Sequence, residues 1–135
     1  MSETILPEGW PRPRGYANGI VAEGRLLAIA GLIGWDASER IVSDTFVDQF
    51  RQALANVVAV VEAAGGRAEH LVSLTIFVTD KHDYINALRD VGIAWREVVG
   101  RHYPATALVQ VAALLEPRAK VEIQGMAVLP RDTTP

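Results

Sequence analysis

The chain has no cysteine. That excludes disulfides, a thiolate nucleophile and any Cys-based metal site. It also lacks a run of lysine or arginine. With 13 basic and 16 acidic residues the formal charge is -3, so the basic footprint of a nucleic-acid binder is missing and no nucleic-acid partner is expected. The longest apolar stretch, Leu26 to Trp35, falls far short of the roughly 20 residues that span a bilayer, and no membrane partner is expected. The N-terminus carries Glu3, Glu8 and prolines without an apolar segment, which does not fit a signal peptide; a cytoplasmic protein is expected. There is no GxGxxG, no GKS or GKT loop and no GxSxG elbow. His70, His82 and His102 lie 12 and 20 positions apart, without metal-ligand spacing, so no metal is expected.

What remains is a chain of 135 residues, half of them hydrophobic, which fits one globular domain. Pro7, Pro11 and Pro13 mark residues 1–14 as an extended, irregular arm. A strand is expected over Tyr16–Ala22, turning at Glu23-Gly24 into a second over Arg25–Ile33. The second does not alternate, which implies burial on both faces. Ser43 or Asp44 can cap a helix whose apolar residues fall at Phe46, Phe50, Leu54, Val57 and Val61, ended by Gly65-Gly66. A third strand covers Leu71–Thr79. Asp80 or His82 then starts a second helix carrying Ile85, Leu88, Val91, Trp95 and Val98 on one face and stopping at Gly100. Two further strands, Thr106–Ala113 and Lys120–Val128, complete a ββαβαββ order. The pattern is that of an α+β domain with two helices on one face of a sheet. No third helix exists for the other face, and the apolar area left there exceeds the few hundred Å² a monomer usually exposes. A second copy of the chain is the simplest cover.

Chemistry concentrates in the last two strands. At period two, Val121, Ile123 and Ala127 share one face and Glu122, Gln124 and Met126 the other, while Thr106, Leu108 and Gln110 share a face of their own strand. A carboxylate on a half-apolar face is either paired with Lys120 or an arginine on an edge strand, or held at a covered interface, where it can act as a general acid or base. Gln110 and Gln124 would supply amides beside it. Arg101-His102-Tyr103-Pro104 forms a loop into the fourth strand, where functional groups gather as readily as solvated ones.

Gly15-Tyr16, Ala30-Gly31, Gln52-Ala53-Leu54-Ala55-Asn56-Val57, Glu62-Ala63-Ala64-Gly65, Val78-Thr79-Asp80, Pro104-Ala105 and Val121-Glu122-Ile123 together resemble the RidA (YjgF) family, from about Gly15 to Val128. The resemblance implies a chorismate-mutase-like fold and a homotrimer with a small-molecule metabolite pocket at each subunit interface. It implies cofactor-free hydrolysis of reactive enamines and imines to a 2-oxoacid and ammonia. Tyr16 matches the family's pocket tyrosine, Glu122 the acid that places the attacking water, and Gly31 the glycine ending the second strand. Thr106 departs from the pattern, because the deaminating members carry there an arginine that clamps the substrate carboxylate. Ala30, Leu32 and Leu88 depart as well. The remodelled pocket would be lined by Leu32, Trp35, Tyr103, Thr106 and Leu108, with Arg101, Arg89 or Arg14 as the substitute cation. Three functions follow from this comparison: an enamine or imine deaminase, a non-catalytic binding or sensing protein on the same scaffold, and an endoribonuclease.

Overall fold

The N-terminal prolines begin at Pro7, and the residues before them can donate to a ladder. In the computed structural model, which describes residues 2–131, Ser2–Ile5 form strand β1, antiparallel to β2 (Gly19–Ala22) with Ser2 opposite Ala22. The arm expected to be irregular thus contributes a strand, and the next strand starts at Gly19 rather than Tyr16. Glu23-Gly24 does not close a hairpin either, since β3 (Arg25–Ile33) enters a different sheet. Gly24 has φ +148°, and a Cβ there would strike the carbonyl oxygen of Leu129. The corner requires glycine.

The main sheet adds β4 (Leu71–Val78), β5 (Ala105–Gln110) and β6 (Val121–Leu129), in the order β3-β6-β4-β5. β5 runs parallel to β4, and the other pairs are antiparallel. β4 therefore separates the last two strands. Leu74, Ile76, Val78, Val121, Ile123 and Ala127 all face α1 (Phe46–Ala63), which buries Phe50, Ala53, Leu54, Val57 and Val61 against them. Each large aliphatic side chain so buried contributes roughly 1.5–3 kcal/mol. Ser43 turns the chain into α1 by accepting the Thr45 N–H at 2.9 Å, without capping the helix itself. At the other end Gly65 takes φ +90° and Gly66 N–H returns to the Val61 carbonyl at 2.9 Å, which terminates the helix.

The second helix is broken. α2 (Lys81–Ile85) starts where Asp80 accepts the His82 N–H at 2.9 Å, and α3 (Leu88–Val98) follows after Ala87 leaves helical backbone. The interruption spoils the continuous apolar face expected from the spacing. Val91, Ala94 and Trp95 remain buried, whereas Ile85 and Leu88 are exposed. All three helices leave the second sheet face open, with Ser73, Thr75, Phe77, Val109, Glu122, Gln124 and Met126 upon it. β3 is an edge strand whose apolar run is not buried on both sides; Leu26 is 68% exposed within one chain.

Candidate functional site

A cavity of about 500 Å³ opens at the β5 edge, between β5, α3 and the Arg14-Gly15-Tyr16 segment. Backbone pairing builds it. Ala17 N–H donates to the Pro104 carbonyl at 3.2 Å and Ala17 bridges Ala105, which holds Tyr16 beside Thr106. Thr106 and Leu108 are in register with Leu74 and Ile76, so they project from the helix-covered face. The loop before β5 is fixed from beneath, where Trp95 Nε1–H donates to the His102 carbonyl at 3.1 Å and His102 Nε2 lies 2.6 Å from the Leu71 carbonyl oxygen. Tyr103 can then stack on Trp95 with ring centroids 5.9 Å apart and planes 7° from parallel. Thr106 donates its hydroxyl proton to the Pro104 carbonyl at 2.9 Å, leaving only lone pairs to offer the cavity. Burial pushes the Tyr84 phenol above its usual range, so it enters the cavity as a neutral O–H. Arg14 and Arg96 border the same space, and among the described residues no carboxylate does.

Glu122 lies on the opposite sheet face, opposite Phe77 on β4. A register shift in β3 between Ile29 and Leu32 brings Gly31 against it, and a Cβ at Gly31 would fall on the Glu122 carboxylate. Glu122 is half-buried and has no hydrogen-bond or ion-pair partner among the described residues. The pairing with Lys120 is absent. The Lys120 N–H instead meets Gln49 Oε1 at 2.8 Å, while Gln49 Nε2 donates to the Ser43 and Arg118 carbonyls at 2.8 and 3.1 Å. Asn56 Nδ2 donates to the Ile33 and Trp35 carbonyls at 3.0 and 2.9 Å. Two amides of α1 thereby fix the start of β6 and the end of β3, and with them Glu122 and Gly31.

The residues expected to form one pocket thus divide. Tyr16, Tyr103, Thr106 and Leu108 share the cavity; Glu122 and Gly31 share the open face. Leu32 packs on the core and Trp35 lies in the loop beyond β3, so neither lines the cavity. Arg101 borders a separate hollow with Arg12 and Asn18, and exposed Arg89 lines neither. Gln110 does not accompany Glu122, because its Oε1 accepts the Lys81 N–H at 2.9 Å, two strands away. Sequence reading missed Arg96, Tyr84 and Trp95 as cavity residues. The four-residue spacing of Leu88, Gly92 and Arg96 was the signal for one face of α3. Among the described residues no group of His, Asp or Glu is arranged to hold a metal, and no helix is long and apolar enough to cross a membrane.

The chain is similar in sequence and fold to known proteins. Residues 11–129 match the family model described as endoribonuclease L-PSP. The 2-iminobutanoate/2-iminopropanoate deaminase of Salmonella typhimurium is 34% identical over 131 residues, covering 95% of this chain and 98% of the relative. A RutC family protein of Pyrococcus horikoshii is 31% identical over 128 residues, covering 94% and 98%. Among solved structures, a protein of unknown function of the conserved Rid family from Yersinia pestis superposes with TM-score 0.83 at 29% identity, covering 95% of this chain and 98% of that one.

Proposed function

The chain belongs to the Rid (YjgF) family, that of the endoribonuclease L-PSP model, and from that premise we propose that it hydrolyses the C=N bond of an enamine or imine metabolite, without a cofactor, in a pocket completed by a second copy of itself. One observation carries the reading. An unpartnered carboxylate, Glu122, stands beside Gly31 on an uncovered sheet face, while Tyr16 and Thr106 line a cavity on the other. Within one chain these halves do not meet. A copy laid on the open face brings the carboxylate of one chain to the cavity of the next, and a homotrimer does this three times. The name of the Salmonella relative supports the same reaction class.

The residues have separate tasks. Glu122 takes a proton from a water that attacks the imine carbon, giving a carbinolamine. Because the imine enters protonated on nitrogen, this carbinolamine is neutral; Glu122 returns its proton to nitrogen and takes up the hydroxyl proton as the C–N bond breaks, and ammonia leaves with a carbonyl product. Tyr16 orients the substrate by hydrogen bonding from the cavity side. Thr106 favours a second reading, a non-catalytic binding protein on the same scaffold, because no guanidinium stands at that position. The endoribonuclease reading finds no support in a net charge of -3.

Glu122→Gln separates the two readings. On a substrate that the unaltered protein clearly turns over, the variant is expected to lose 10²–10⁴-fold in rate, typical of a lost acid or base. Its assembly and ligand affinity should stay nearly unchanged. Undiminished turnover overturns the catalytic role of Glu122.

A further inference from the structure

Helix α3 carries a glycine, Gly92, in its second turn, where an alanine would fit. Nothing lies within 4 Å of a Cβ built at Gly92. A mid-helix glycine costs about 0.5–1 kcal/mol relative to alanine, so packing inside the chain does not account for it. Gly92 borders the cavity one helical step from Leu88 and one from Arg96, and the absent side chain opens the space between them. Eight residues of helix place Leu88 and Arg96 roughly 12 Å apart along the axis. That is longer than a two- or three-carbon acid needs and suits a ring with a short chain.

Charge and shape agree with this length. Arg14 and Arg96 border the cavity without a carboxylate beside them, and neither makes an ion pair among the described residues. The same lining includes aromatic rings. Tyr103, stacked on Trp95, is 36% exposed and Tyr16 is 43% exposed, so both present ring surface to an occupant. Flat apolar bodies stack on such surfaces, and guanidinium groups pair with carboxylates.

Resting on the reading of this cavity as the substrate site, we propose that it selects an aromatic carboxylate. The ring lies along the Gly92 face of α3, and the carboxylate is held by Arg96 and Arg14 instead of by a residue at position 106.

Binding of two stable 2-oxoacids, phenylpyruvate and pyruvate, to the assembled protein tests this by calorimetry. Phenylpyruvate is expected to bind at least ten-fold more tightly than pyruvate. Arg96→Gln and Arg14→Gln should each weaken phenylpyruvate about ten-fold, while Arg89→Gln, on the same helix but outside the cavity, should not. Gly92→Leu should abolish phenylpyruvate binding, and Gly92→Ala, which the helix accepts easily, should weaken it while raising the melting temperature. Equal affinity for the two acids, or phenylpyruvate binding indifferent to both arginine changes, overturns the proposal. Turnover distinguishes this failure from failure of the deaminase reading. Arginine-dependent phenylpyruvate binding with no hydrolysis of any imine leaves the inference standing and removes the reaction. Rapid hydrolysis of small and aromatic imines alike, generated in place by an amino-acid oxidase, does the reverse.

Discussion

Introducing an arginine at position 106 is the most informative single perturbation of the site. A guanidinium that grips a carboxylate in two places contributes roughly 2–5 kcal/mol by the cost of removing one partner. A threonine hydroxyl ordinarily returns about 0.5–1.5 kcal/mol through one neutral hydrogen bond. Here it returns less, because the Thr106 hydroxyl proton is already donated to the Pro104 carbonyl at 2.9 Å. A carboxylate arriving there meets lone pairs. The full deficit converts to roughly 30-fold to several-thousand-fold in kcat/KM for a small 2-iminoacid. Thr106 opens directly into the cavity, which has room for a longer side chain. Thr106→Arg is therefore expected to raise kcat/KM for the imine of 2-oxobutanoate by at least 30-fold. The gain should fall mainly on KM if the clamp holds ground and transition states equally. The assay is release of the 2-oxoacid from imine generated in place, with assembly checked in parallel. The reasoning fails if the unaltered protein already processes this imine as fast as an aromatic one, or if a correctly assembled Thr106→Arg protein shows no gain.

Two further expectations concern the scaffold. Gln49→Leu leaves the Lys120 N–H and the Ser43 and Arg118 carbonyls without their partner inside the protein, at about 1–3 kcal/mol for each group that water cannot reach. A loss of roughly 3–5 kcal/mol should appear in denaturant melts, and a loss under about 1 kcal/mol would show that the amide is not the tie between α1 and β6. Light scattering should give a mass near three times the chain's 14.7 kDa. A stable monomer at micromolar concentration would refute the covered-face argument and the composite pocket with it.

How much of the fold the sequence disclosed depended on whether local chemistry sufficed. β3 was legible to the residue because its apolar run begins after Gly24 and gives way at Gly34, and α1 was legible as a helix because its spacing is regular and two glycines stop it. β1 was hidden by the prolines that follow it, which say nothing about the four residues before them. The break at Asn86-Ala87 carries no proline or glycine, and the apolar spacing runs straight through it, so periodicity predicts one helix where backbone geometry gives two. Glu23-Gly24 has the composition of a hairpin turn, yet it serves as a corner between sheets. The reason is a close approach to Leu129, which lies more than a hundred positions away in the chain.

The site was legible in its residues and illegible in their arrangement, for a reason inherent in strand geometry. Alternation along a strand states which side chains share a face, but not which face the helices will cover. Glu122 and Thr106 stand on strands that follow one another in sequence, and reading them as neighbours placed Gln110 beside the carboxylate. The sheet order inserts β4 between those strands, and the parallel run of β5 puts Thr106 in register with Leu74, on the covered side. Glu122, opposite Phe77, is left on the other. A carboxylate without a partner on an open, half-apolar face is costly to cover unless the covering surface brings polar groups and water to it. In the proposed assembly the cavity side would supply those groups, since Tyr16, Tyr84, Arg14 and Arg96 line it. The proposed assembly sets the uncovered face against the carboxylate-free cavity of a second copy, so that covering the one and completing the other become a single requirement on the same interface.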